Sequence, residues 1–138
     1  MQRPSSLELS LLIMRLATAA FLLVWSIDKI VNQGHAQNVF NTFYFLTPSP
    51  QVLTGLGVVQ TLIVLAFAAG LARYWTYGAV LLMHAVSTAS TYARLINPWG
   101  PRAQLLFWAA VPVLAGMIAM FLLRGEDRLL SIDAARAK

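Results

Sequence analysis

Apolar positions along this chain run in long blocks, and the charged residues punctuate them. Between Lys29 and Arg73 lie 43 residues without Asp, Glu, Lys or Arg; 20 such residues separate Arg73 from Arg94, and 21 separate Arg102 from Arg124. A helix needs about 20 mostly apolar residues to cross roughly 30 Å of hydrocarbon. The two shorter blocks therefore predict one span each, near residues 75–95 and 104–123. The long block predicts a span at its end, near 51–72, opened by Ser49 as N-cap and Pro50 at the first helical position. A fourth apolar stretch, near 7–28, has Arg15 inside it. Its alternative reading is a secretory signal peptide, with Arg3 as the basic region and a cleavage site near Ala17-Thr18-Ala19. Such peptides need about 7–15 uninterrupted apolar residues. Arg15 breaks that run, so the stretch is read as the first of four spans.

Between the first two spans, Ala36, Val39, Phe40, Phe43 and Leu46 recur at helical spacing, with Gln33, Gln37, Asn38 and Asn41 on the other face. The segment is too short to cross a bilayer, and predicts an amphipathic surface helix or a shallow re-entrant segment. Thr47-Pro48-Ser49-Pro50 ends it. Residues 1–125 thus read as a single all-α domain, a four-transmembrane-helix bundle, followed by a short, charged, helical tail over 126–138.

Composition agrees with that pattern. Of 138 residues, 59% are apolar and 11% charged, against roughly 45–50% and 25% in a soluble domain. The net charge of +5 arises from only five acidic residues rather than from a basic patch. Disorder and a soluble nucleic-acid-binding role are excluded, and no nucleic-acid partner is expected. The absence of cysteine removes disulfides, thiolate metal sites, dithiol redox couples and cysteine nucleophiles. With only two histidines, no metal site is expected. With four spans, Arg3, Arg73, Arg124, Arg128, Arg136 and Lys138 fall on one side, and Lys29, Arg94 and Arg102 on the other. The positive-inside rule then predicts a multi-pass protein of the inner (cytoplasmic) membrane with both termini in the cytoplasm.

Ionisable groups at membrane depth are costly and face a bundle interior or a wet cavity. At 100° per residue, Glu8, Arg15, Leu22, Ser26 and Lys29 share one face of the first span, with Trp25 at its edge. Glu8, two turns below Arg15, is its expected counter-ion. Tyr77, His84, Ser87, Thr88 and Thr91 form one face of the third span, with Arg94 at its outer edge. The second span adds Gln60 and Thr61 beside Gly57; the fourth is almost wholly apolar, with Pro112 predicting a kink and Ala115 and Ala119 a small-residue pair.

Two readings of these groups stay open. In one, Arg15 snorkels or pairs for folding, His84 is a hydrogen-bonded packing residue, and the hydroxyls join helices. In the other, Arg15, Trp25, Lys29, Gln60, Tyr77, His84, Thr88, Thr91 and Arg94 line one cavity for a quinone or lipid, with donors for its carbonyl oxygens and an apolar wall from the fourth span. Arg15 then anchors the ligand and His84 moves protons, these two being the catalytic candidates, while Lys29 and Arg94 stand at the outer mouth.

Three stretches resemble the DoxX-like family of small membrane proteins: Leu12–Lys29 (LIMRLATAAFLLVWSIDK), Leu71-Ala72-Arg73 preceded by Gly70, and Arg128-Leu129-Leu130-Ser131-Ile132-Asp133. Arg15, Lys29, Arg73, Ser131 and Asp133 match its recurring positions. Gln60 stands where many relatives carry an acid. The resemblance implies a four-helix membrane bundle, and some members are associated with quinone-linked sulfur oxidation or membrane oxidoreductase complexes. The outline is also similar to vitamin K epoxide reductase, whose dithiol chemistry a chain without cysteine cannot perform. The expectation is a small membrane subunit or accessory protein of a quinone-linked redox complex, without redox chemistry of its own. Its expected partners are the lipid bilayer and other membrane or redox subunits, or further copies of itself. A small-solute transporter or channel, or a purely structural assembly protein, are the alternatives.

Overall fold

The computed structural model describes residues 4–101 and 104–137. Arg3, Arg102 and Lys138, three of the loop charges counted above, lie outside the described residues. Helix α1 spans Ser6–Val31 and opens with a capping box: the Ser5 hydroxyl accepts from the Glu8 N–H, and the Glu8 carboxylate accepts from the Ser5 N–H. A one-residue corner at Asn32 leads into α2 (Gln33–Tyr44), the expected amphipathic helix, which packs on α1 and α3. Phe43 of α2 meets Phe107, ring centroids 5.6 Å apart. Helix α3 (Pro50–Ala68) begins as expected, with Ser49 accepting from the Val52 N–H and Pro50 in the first turn. It stops at Ala68, four residues short of the predicted end, because the chain turns through Gly70 and Ala72, both at positive φ.

Helix α4 (Arg73–Ser90) and the short α5 (Tyr92–Ile96) occupy the third predicted span, interrupted at Thr91. A 3-10 stretch, Leu105–Ala109, runs directly into α6 (Ala110–Leu122). Pro112 sits in the first turn of α6, where its missing N–H leaves no intrahelical bond unmade. The change of helix type before it replaces the expected mid-helix kink. The chain closes with α7 (Ile132–Arg136) in the tail.

Among the described residues three helical stretches are long and apolar enough to cross a membrane: Ser6–Val31, Pro50–Ala68 and Leu105–Leu122. Helix α4 has the length but carries Arg73, Tyr74, Tyr77, His84 and several hydroxyls. The packing makes a ring: α1 lies against α3, α3 against α4, α4 against α6, and α6 more lightly against α1. Inside are Leu11, Leu22, Val64, Phe67, Val80 and Met117. Gly57 permits the tight α1–α3 contact, since a Cβ there would lie 2.8 Å from the Ser26 carbonyl oxygen and 2.7 Å from Ile30 Cγ1. The Thr61 hydroxyl donates to Ser26 Oγ (3.0 Å) across the same seam.

Outward faces are apolar on all four long helices: Val24 (70% exposed), Leu62 (62%), Leu82 (65%) and Leu122 (71%) are examples. Continuous exposed apolar surface of this kind belongs in hydrocarbon rather than water. The fold is that of an all-helical membrane protein.

Candidate functional site

One end of the bundle gathers the α3–α4 turn, the N-terminal half of α1 and the tail. Helix ends leave backbone N–H and carbonyl groups unpaired, and close to a membrane these need partners from the chain. The tail supplies them. Past α3, the Ala69 carbonyl accepts from the Ile132 N–H (3.0 Å), and the Gly70 carbonyl from the Asp133 N–H (3.2 Å) and the Ser131 hydroxyl (3.1 Å). At the start of α4, the N–H groups of Ala72 and Arg73 donate to the two Asp133 carboxylate oxygens (2.9 and 2.8 Å). Asp133 thus does, from 60 residues away, what the side chain of the N-cap residue, Ala72, cannot do for the start of this helix. Arg73 answers for α6: its Nη1 donates to the carbonyls of Arg124 (2.7 Å) and Asp127 (2.9 Å).

Arg15 is the centre of the cluster. Its side chain and that of Asp127 are both fully buried, with Nη1 and Oδ1 3.3 Å apart. That contact lacks hydrogen-bond alignment, and among the described residues Nη1, Nε and Oδ1 have no hydrogen-bond partner. The two charges therefore compensate each other electrostatically, while their other atoms make the hydrogen bonds. Arg15 Nη2 donates to the Leu129 (2.6 Å) and Leu130 (3.2 Å) carbonyls, and Asp127 Oδ2 accepts from the Tyr77 hydroxyl (2.5 Å). Gly70, at φ +62°, leaves the room for this: a Cβ would lie 2.6 Å from Arg15 Nη1 and 2.7 Å from Ser131 Oγ.

The expected counter-ion of Arg15 is therefore replaced. Glu8 is held by the capping box at the start of α1, and Asp127 takes its place. Asp127 was hidden in a tail that reads as solvated. A signal for it existed: an Arg inside an apolar helix needs an acid, and the chain has only five.

The other eight candidates separate. Tyr77 joins Arg15 through Asp127. His84 lies farther along α4, its Nε2–H donating to the Ala110 carbonyl (3.0 Å) and its ring edge-on to Phe21. The carbonyl can only accept, so Nε2 carries the proton. Thr88 and Thr91 donate to carbonyls of their own helix, His84 and Thr88, rather than across helices. Gln60 is half-buried on the inward face of α3, and Arg94 half-buried in α5. Trp25 and Lys29 are at the opposite end from Arg15: the Lys29 ammonium donates to the Trp25 carbonyl (2.9 Å), and the Trp25 ring stacks on His35, whose Nδ1 is 2.7 Å from Asp28 Oδ2.

The nine residues thus do not converge on one cavity. Trp25 and Lys29 border a slot of about 10 Å³ shared with Asp28, Ala36, Val39 and Phe40, room for one water at most. An open groove of about 450 Å³ lies at Gln33, Pro50, Gln51 and Thr54, where none of the nine sits. Among the described residues no three His, Asp or Glu side chains are grouped to hold a metal ion.

The Asp133 carboxyl is held below the usual carboxylate range, first by the Arg73 N–H; burial, the next largest effect, raises it, and the Ala72 N–H and the Arg73 and Arg136 charges add to the lowering. A carboxylate with a depressed native pKa stabilises the fold above its unfolded value, about 3.9, and loses that contribution as pH falls through the native value. Tail docking is therefore expected to weaken below about pH 4, and Asp133→Asn to flatten that acid limb. Proteolytic release of the tail against pH measures both; an unchanged acid limb in the variant would assign it to another carboxylate.

Comparison with family models, with curated proteins and with solved structures returns no match. The site is accordingly read from its own geometry: a clamp that joins α1, the α3–α4 turn and the end of α6 through the tail.

Proposed function

We propose that this chain is a four-span inner-membrane protein with cytoplasmic termini, acting as a non-catalytic subunit of a quinone-linked membrane redox complex. The observation that carries the reading is how its deep polar groups are used. Arg15, Asp127, Tyr77, Arg73 and Asp133 bind one another and the chain's own helix ends. What the protein offers outward is apolar helix surface, a surface for lipid and partner helices. Helix α4 as the third of four spans is supported by its ring position between α3 and α6, and by Leu82 and Val86 on its exposed side. The cytoplasmic assignment rests on six basic loop residues against three.

The redox context rests on the DoxX-like resemblance. Four of its five recurring positions, Arg15, Arg73, Ser131 and Asp133, belong to the clamp, and Lys29 stands apart. Recurrence of residues that close the fold fits a shared scaffold better than a shared active site.

Native mass spectrometry of the protein, extracted gently from its own membranes, tests the reading. The expected spectrum is a stoichiometric complex with a redox subunit whose activity survives His84→Ala. A quinone retained by this chain and lost in His84→Ala would overturn the non-catalytic role in favour of a pocket. Solute flux through liposomes holding this chain alone would favour a transporter.

A further inference from the structure

We propose that the tail is a lock on the first span: α1 takes its final depth in the membrane only when residues 127–130 close over Arg15. The argument starts from α1 alone. It is an apolar helix of 26 residues, and Arg15 is the one charge between Glu8 and Asp28. At 1.5 Å per residue Arg15 lies about 14 Å along the helix from Ser6, farther than its side chain spans. Glu8 is committed to the Ser5 cap. Among the described residues, the carboxylate and the carbonyls that meet the guanidinium all come from the tail: Asp127 Oδ1 at 3.3 Å, and the carbonyls of Leu129 and Leu130, 114 and 115 residues later.

Before the tail docks, Arg15 is an uncompensated cation at membrane depth. Such a charge is relieved by moving toward water and snorkelling. Helix α1 permits that shift, because Ser5, Ser6, Glu8 and Ser10, at its tail end, are all exposed polar or partly exposed residues that suit water. Docking reverses it by supplying a carboxylate and two carbonyls at one place. The same tail segment also pairs the loose backbone groups of the α3–α4 turn through Ser131, Ile132 and Asp133. Fixing the depth of α1 and closing that turn are therefore one event, and Gly70 is where the two meet. The inference needs α1 to lie in a bilayer and does not depend on a redox partner.

The chain has no cysteine, so a single introduced thiol reports its own surroundings. Thr18 is buried one turn deeper than Arg15. Thr18→Cys is reacted with a membrane-impermeant maleimide in inside-out and right-side-out vesicles. In the otherwise native chain, labelling is expected to be slow. Asp127→Ala should raise the rate from the tail side about tenfold or more, in keeping with the strong penalty for leaving a buried charge alone. Arg15→Gln with Asp127→Asn, which removes both charges, should return it to the native rate. An unchanged rate in Asp127→Ala overturns the lock. So does an equal rise in the doubly neutral variant, which would make the loss one of packing. Where Asp127→Ala does not accumulate in membranes, abundance replaces labelling: accumulation of the double variant alone supports the lock, and loss of both overturns it.

Discussion

Arg15→Ala is expected to lower stability by about 3–5 kcal/mol, the cost typical of breaking a buried ion pair from one side. Three losses combine. Asp127 keeps a buried charge with no cation at 3.3 Å, the Leu129 and Leu130 carbonyls lose their donor, and a void opens where the largest buried side chain had been. The measurement is thermal unfolding of the detergent-solubilised protein, followed by tail proteolysis at a fixed temperature. The tail should become cleavable before the helices unfold, because its carbonyls are what Arg15 holds. Arg15→Met with Asp127→Leu should recover a large part of the loss, since paired charges are often replaceable by apolar volume. Recovery will be incomplete, because the Tyr77 hydroxyl then has no acceptor. A single variant as stable as the native protein would mean that water reaches Arg15 and the pair contributes little.

Gly70→Ala is the second large effect. At φ +62° an alanine carries about 1–2 kcal/mol of left-handed strain. Its methyl would also sit 2.6 Å from Arg15 Nη1 and 2.9 Å from Ser131 Cα, so backbone as well as side chain must shift, at a further cost of about 1–3 kcal/mol. The loss should appear as weaker tail docking and a lower unfolding temperature. Gly55→Ala is the matching control: it lies within α3, nothing stands within 4 Å of its Cβ position, and alanine should stabilise the helix by about 0.5–1 kcal/mol. If both variants lose stability alike, the effect comes from glycine content in the membrane and the Gly70 geometry is not its cause.

Both predictions concern a site that was half legible beforehand. The helical wheel placed Arg15, Leu22 and Ser26 on one face of α1, and all three are buried. It placed Tyr77, His84, Ser87, Thr88 and Thr91 on one face of the third span; four of these are buried, and Ser87 is exposed. Periodicity is local, so a face can be read from spacing alone. Which polar groups on two faces meet is another matter. His84 bonds to Ala110, and the threonines bond back to their own helix. Spacing could not choose between those partners and a common cavity, because a hydroxyl finds a carbonyl within its own helix as readily as across a seam.

The sequence by itself determined the solvent, the helices and one of their starts. Blocks of about 20 apolar residues admit only helical, internally bonded backbone in a bilayer, and Ser49 and Pro50 marked one helix start through a contact three residues away; the Ser5–Glu8 box at the start of α1 is as local but was read only in the structure. The tertiary structure alone decided where the tail goes. Asp127 pairs with a residue more than a hundred positions earlier, and Asp133 caps a helix 60 positions earlier. Nothing in the local pattern encodes such pairings. They follow from four helices closing into a ring, which brings a lone buried cation, loose helix ends and a short acidic segment to the same end of the bundle, where each satisfies the others.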